Sequence, residues 1–484
     1  MRRLLALLLI LCLVPSGCRK EPEGAVKVVV IGGAPQLRDP ALGPLPEPDR
    51  VLLDSVAQGL VRFDAAGNIV PGFAERWTVS DDGLSYIFRI ASANWPNGRK
   101  ITAEDVARLL KREIAARSKN SLKDNLGAVE DVVAMTDRVI EIQLTAPRPD
   151  LLSLLAQPEF AILRDGAGTG PFTIAGTSDG ALRLRRQIVS PDEETTRREE
   201  VLLGGAPAAD AVRAFVGAQS DLVLGGTFAD LPYAQRARLP RDSLQFDPAS
   251  GLFGLEPLSA GEPLDNPQIR QLLSQAIDRD SIVGALAVPG LTPRATLLEP
   301  TLDGVPALIP PVWLATPFAE RLPTVQAQIA RLLPKGAAIT VRIALPKGPG
   351  ADMLFQAIAR DWGALGLTVE RADSAAGADF VLIDKVAPST SPAWFVRQFR
   401  CGVAPVCDDQ AGQLIQAARD TPVLAQRYAL LGQAAARIED QQLFIPITAP
   451  VRWSLVSRRI QGFSGNRYAR HTLTDLEGES TGGD

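Results

Sequence analysis

The sequence predicts an α/β protein of more than one lobe, on three observations. At 484 residues the chain is too long to close around a single core, so two or three domains are expected. Ile339 to Leu345, Ala351 to Ala364, Leu367 to Arg371 and Asp379 to Ile383 read as strand, helix, strand and strand, the alternation of an α/β lobe. Residues 71–110 read as a β-hairpin that feeds a capped helix. Hydrophobic residues make up 46% of the chain, so most of it is expected to pack.

Taken in order, Arg2 and Arg3 precede an unbroken apolar run from Leu4 to Val14, then Pro15, Ser16, Gly17 and Cys18. A basic start and an apolar stretch shorter than the ~20 residues of a membrane helix describe a secretory signal. Small residues before a cysteine resemble the lipobox of bacterial lipoproteins. That implies loss of residues 1–17 and lipidation of Cys18, although Pro15 stands where the motif usually has leucine. An ordinary cleaved signal is the alternative. No later segment is long and apolar enough to span a bilayer, so the mature body is expected outside the cytoplasm, on a polar tether at 18–25. Val26 to Ile31 is a β-branched strand ending at Gly32-Gly33, and Val51 to Leu60 reads as a helix.

The hairpin follows. Asp82-Gly83 is a strong turn signal, because both central residues of a type I′ turn need positive φ. Leu84, Tyr86, Phe88 and Ile90 alternate behind it, and Pro96, Asn97 and Gly98 make a second turn. Thr102 with Asp105 begins a helix whose apolar face is Val106, Leu109, Leu110 and Ile114. Pro71, Phe73-Ala74, Trp77, Ser80, Asp82-Gly83, Tyr86, Phe88-Arg89, Trp95, Asn97-Gly98, Thr102-Ala103 and Asp105-Val106 together resemble the signature of bacterial extracytoplasmic solute-binding proteins of family 5, the peptide/nickel/opine-type receptors of ABC importers. The resemblance implies a two-lobed periplasmic-binding-protein-like fold, type II, of the large three-subdomain variety, with a ligand cleft between the lobes. On that pattern residues 26–255 form the first lobe with an inserted subdomain at about 60–165. Residues 256–448 form the second lobe, and 449–473 return to the first.

Within that frame Val139 to Leu144 is a strand and Leu151 to Ala156 a short helix. Gly168-Thr169-Gly170-Pro171-Phe172 is similar to a family turn. It lacks Walker spacing and its lysine, so its glycines are expected to serve positive-φ turns. A helix is expected from about Ala208 to Ala218. Asn266 and Pro267 open another, with Arg270 and Asp278-Arg279 capping and balancing charge. Residues 287–323, rich in Pro and Gly, read as loop around Trp313. Leu424 to Ile438 is a long helix, Leu443 to Ile447 and Val451 to Val456 are strands, and the acidic end at 474–484 is expected to be disordered.

The chemistry points to binding rather than catalysis. One histidine in the chain excludes most Ser-His-Asp and Cys-His schemes, and His471 is expected to be solvated. No catalytic residue, metal site or cofactor is expected. Scattered Lys and Arg and a net charge of −4 leave no footprint for nucleic acid. Cys401 and Cys407, in an exported chain, read as a small disulfide loop. The family resemblance implies a cleft built from Ala34, Pro35 and Gln36, from Gly251, Leu252 and Phe253, and from Ile383, Asp384 and Lys385 with Trp394 nearby. In peptide-binding relatives an acidic residue like Asp384 meets the ligand's amino terminus, while a strand-end surface role is the alternative. Lys385 either neutralises Asp384 or meets a ligand carboxylate. Aromatic content is only 5%, low for a peptide cleft. The expectation is a monomeric, lipid-anchored receptor at the periplasmic face of the envelope, which closes on a short peptide or amino-acid derivative and delivers it to ABC permease membrane subunits. A structural or regulatory envelope lipoprotein that keeps the fold without transport is the alternative.

Overall fold

The computed structural model describes residues 24–189, 196–258, 261–305, 310–334 and 338–478. The predicted signal, Cys18 and residues 479–484 lie outside them. Three sheets organise the described chain. The first has seven strands, in spatial order Thr173–Ser178, Ala181–Val189, Thr196–Ala206, Val26–Ile31, Leu222–Thr227, Arg452–Val456 and Leu244–Phe246. Val26–Ile31 pairs in parallel with Thr196–Ala206 and with Leu222–Thr227, and Val28 and Val30 are buried. A strand flanked by parallel partners is covered on both faces, which is why it is β-branched at every position except the exposed Lys27 near its start. The sequence reading assigns no element to 173–206, where charged residues interrupt the apolar period. Cross-strand ion pairs hold these strands instead, Arg186 with Glu199 and both Arg183 and Arg185 with Glu200.

The second sheet runs Thr368–Ala372, Thr340–Ala344, Phe380–Val386, Gly251–Pro257 and Ile445–Thr448. Helices Pro267–Gln275, Phe318–Leu332 and Pro349–Gly363 belong to the same lobe, and its core includes Ile343, Trp362 and Phe380. Trp362 donates from Nε1 to Leu273 O at 3.0 Å, so its one polar atom is satisfied where it is buried. Phe318–Leu332 begins inside the segment expected to be loop. Trp313 carries Arg279 and Arg321 against its ring at 5.3 and 5.2 Å. Arg270 and Arg279 are buried and spend their donors on backbone carbonyls, among them Leu264, Gln441, Ser274 and Pro446.

The third sheet, Ala74–Val79, Ser85–Ile90, Val139–Leu144 and Val129–Thr136, forms the inserted subdomain with helix Ala103–Ile114. Tyr86, Phe88 and Ile90 are buried, as their alternation requires. The turn differs from a type I′ hairpin. Ser80 and Ser85 close it, Gly83 N donates to Ser80 O at 2.9 Å, and Gly83 alone has positive φ, +68°. The loop is therefore longer, with glycine in the left-handed position that ends it. Thr102 caps the helix by accepting from Asp105 N at 3.2 Å.

The chain crosses between the first and second sheets twice, at 247–250 and 449–451. The second sheet begins at Gly251, ahead of the boundary expected at 256. Asp247 N donates to Arg452 O at 3.0 Å across the two crossings. Glu299, buried, accepts from Ser250 Oγ and Gly251 N at 3.0 and 2.7 Å and fixes one of them. The start of the expected disordered end is ordered: Leu476 is buried, Asp475 pairs with Arg62 at 3.2 Å, and Glu477–Gly478 pairs with Ile460–Gln461. His471 is half-buried rather than solvated, its side chain 8% exposed, 3.1 Å from Asp247 Oδ2 and stacked on Phe463.

The helix expected at 51–60 runs Glu47–Val56, displaced because Pro48 sits in its first turn, with Glu47 and Asp49 beside the positive end of its dipole. Asp54 lies on this helix. Burial pushes its carboxyl up to about 6, against Arg62, whose charge favours ionisation. Its unfolded value is near 4, so the folded state binds the extra proton between roughly pH 4 and 6 and loses that stability as pH rises through 6. Asp54→Asn is expected to raise stability by about 1–2 kcal/mol at pH 7.5, discounted for partial solvent access, and to have little effect at pH 4. Urea melts at the two pH values measure it; an equal change at both refutes the assignment.

Candidate functional site

The cavity that fits a ligand lies between the inserted subdomain and the second lobe, with a volume of about 490 Å³. Two short stretches of the subdomain, around Asp124–Ala128 and Arg148–Asp150, make one wall. Helices Pro392–Arg397, Asp409–Asp420 and Leu424–Asp440 make the other. Trp394 and Tyr428 supply its aromatic surface. The last helix forms because Leu431, Ala434, Ala435 and Ile438 recur at helical spacing and bury one face, and this places Arg427 and Tyr428 at the cavity.

Direct hydrogen bonds bridge the two walls. Ser389 Oγ donates to Asp150 Oδ2 at 2.9 Å, Arg400 Nη2 to Asp124 Oδ2 at 2.7 Å and Arg419 Nη2 to Gly127 O at 3.0 Å. Arg427 reaches Pro147 O, and Gln157 Nε2 donates to Pro388 O at 2.9 Å. The lobes are therefore in contact around the cavity. Cys401 and Cys407 are disulfide-bonded, Cα to Cα 5.2 Å, and Cys401 lies at the cavity directly after Arg400. The bridge restrains the loop that follows that arginine.

The electrostatics are those of cations partly withdrawn from water. Burial, reinforced by Arg400, pushes the Arg397 guanidinium down to about 10. Burial and Arg148 push Arg427 down to about 10 as well. Burial also lowers Arg148, although Asp150 opposes it. In the opposite sense, burial raises the Asp150 carboxyl despite the hydrogen bond from Ser389 and the charge of Arg148. All these arginines remain charged at neutral pH.

Of the cleft residues expected from sequence, Trp394 alone lines this cavity. Ala34 and Gln36 are exposed and Pro35 is buried. Gln36 is engaged locally: its N–H donates to Asp49 and its Oε1 accepts from Arg38 at 3.0 Å. Phe253 is a core residue, 1% exposed and edge-on to Phe228 at 4.8 Å. Its strand is flanked by Phe380–Val386 and Ile445–Thr448 in the second sheet, and its side chain faces the core of the lobe. Asp384 already has a cation, because Arg452 Nη1 lies 2.8 and 3.0 Å from its two oxygens. Lys385 is exposed and donates to Gln398 Oε1 at 3.1 Å. Sequence reasoning missed Arg148, Asp150, Arg397 and Arg400. The available signal was Arg397 and Arg400 between Trp394 and the first cysteine, a charged pair in an otherwise apolar stretch.

Residues 68–375 match the family model of bacterial extracellular solute-binding proteins, family 5 Middle. A probable di/tripeptide-binding protein 5 of Pseudomonas aeruginosa is 24% identical, over 87% of this chain and 89% of that protein. The oligopeptide-binding protein OppA of Bacillus subtilis is 24% identical over 51% of this chain, which spans only 52% of that relative. Among solved structures, Haemophilus influenzae OppA in complex with RPPGFSPFR superposes with a TM-score of 0.80 at 18% identity, covering 95% of this chain and all of that one. The two-lobed α/β fold is thus shared along nearly the whole chain. With its signature hairpin, its paired crossings and a cavity walled by both lobes, the chain belongs to the family 5 extracellular solute-binding proteins, and its role is to bind a substrate.

Proposed function

We propose that this chain is the receptor of an ABC importer, exported and lipid-anchored through Cys18, that closes on a short peptide or amino-acid derivative and passes it to the permease at the periplasmic face of the envelope. The observation that carries the reading is the cavity between the inserted subdomain and the second lobe. Its volume of about 490 Å³ falls within the ~300–1,000 Å³ of small-molecule sites. A ligand that touches both walls favours the closed arrangement by its differential contacts, and release requires only that the bridging hydrogen bonds reopen. Relatives named for oligopeptides and di/tripeptides support peptide chemistry. The reading needs no catalytic group, in keeping with a family of binding proteins.

Native mass spectrometry of protein purified from its own host tests this. The expected result is a retained small molecule at close to one per chain, lost on partial unfolding and refolding. A ligand-free protein whose deletion leaves peptide uptake unchanged removes the receptor reading.

A further inference from the structure

The cavity carries an unbalanced charge. Arg427 is committed to the carbonyls of Ala418, Thr421 and Pro147. Arg419 donates to Gly127 O at 3.0 Å, and Arg400 holds Asp124 at 2.7 Å. Two guanidinium groups are left. The Arg397 side chain makes no hydrogen bond among the described residues and comes no nearer than 3.9 Å to Asp124, which Arg400 already occupies. Arg148 makes only long contacts, 3.3 and 3.5 Å, to the carbonyls of Pro147 and Arg419. Asp150, whose charge favours the Arg148 cation, accepts from Ser389, and with Asp124 and Asp409 it still leaves the five arginines of the lining in excess. A cation withdrawn from water without a partner is costly, and a guanidinium fork is shaped for a bidentate carboxylate.

We infer that the ligand is a net anion, with a carboxylate seated between Arg148 and Arg397: an acidic short peptide, or an amino-acid derivative whose carboxylates outnumber its amines. This deepens the receptor reading and rests on it. Arg148 belongs to the inserted subdomain and Arg397 to the second lobe, so an anion between them satisfies a group on each wall and draws the lobes together. A ligand of neutral or positive net charge has at most one carboxylate to offer the two guanidinium groups and brings its ammonium charge with it, so it gains less from closure than a ligand with a carboxylate to spare. Ligand charge, not length alone, then sets affinity.

Calorimetry with three dipeptides tests this: Glu-Glu, Ala-Ala and Ala-Lys, which are anionic, neutral and cationic at pH 7. Wild type is expected to bind Glu-Glu about tenfold or more tighter than Ala-Ala, with Ala-Lys weakest, since a charge-assisted bidentate pair exceeds about 1.4 kcal/mol. R397Q is expected to shrink the Glu-Glu preference to about threefold or less. Its thermal unfolding should stay at or above that of wild type, because Arg397 makes no hydrogen bond among the described residues and only a 3.9 Å ion pair with the Asp124 that Arg400 already holds. Equal or tighter binding of Ala-Ala or Ala-Lys overturns the inference, as does a Glu-Glu preference that survives R397Q. Should no dipeptide bind, the retained ligand decides: an anion upholds the inference, and a neutral or cationic molecule overturns it while leaving the receptor reading intact. A protein that holds no ligand at all brings down both.

Discussion

Arg452→Gln is expected to lower the unfolding free energy at pH 7.5 by about 3 kcal/mol, the typical cost of stripping one partner from a buried ion pair. Arg452 begins strand Arg452–Val456 of the first sheet and Asp384 lies on a strand of the second, and their side chains are only 17% and 15% exposed. Arg452 also donates to Val451 O at 2.9 Å and to Asp384 O at 3.2 Å, so it ties both lobes at the crossing. Burial already raises the Asp384 carboxyl, against the charge of Arg452. Without the arginine that rise must grow. A raised carboxyl gives stability that is present at acid pH and lost as pH climbs through its folded value, so the variant should recover part of its deficit at pH 5. Adding Asp384→Asn to Arg452→Gln should restore stability at pH 7.5, with a coupling of about 2 kcal/mol. Additive losses in that cycle, or a deficit independent of pH, would show that the pair does not hold the crossing. Asp384→Asn alone should leave ligand affinity within about twofold of wild type, since a residue outside the cavity adds no ligand hydrogen bond.

The second large effect is expected at Gly168→Ala, a loss of about 4 kcal/mol or failure to accumulate. A Cβ there would stand 2.2 Å from Val56 O and 2.4 Å from Ala57 Cβ. Neither can yield, because the segment wraps the end of the first helix: Gly170 N donates to Val56 O at 3.0 Å and Phe172 N to Ser55 O at 3.1 Å. Neither Gly168 nor Gly170 has positive φ, so these glycines are required for close backbone approach and not for the turn geometry expected from sequence. Gly432→Ala is the contrast. It lies within helix Leu424–Asp440 with nothing within 4 Å of its Cβ position, and helix propensity predicts a gain of up to ~1 kcal/mol. Denaturant melts of the two variants decide it; similar values would mean that the close approach is not maintained in solution.

The sequence by itself determined the family, the hairpin and helix at 71–114, the central strand Val26–Ile31, the α/β second lobe and the cysteine pair. Each is encoded within a short stretch, by a periodicity, a cap or a spacing, so it is legible without knowing its neighbours. The charged strands at 181–206 were not legible, because their stabilising partners sit across a ladder and leave no apolar period. The tertiary structure alone decided the cavity. Arg148 and Arg397 are far apart in the chain, and nothing local distinguishes them from solvated arginines. Folding places one on each wall with their nearest carboxylates already engaged. It likewise gave Asp384 a cation from the end of the chain, and turned a plausible ligand contact into a clasp between sheets. Local periodicity fixes elements because it acts over a few residues. Which charge meets which is set by lobe packing, which brings together residues far apart in the chain.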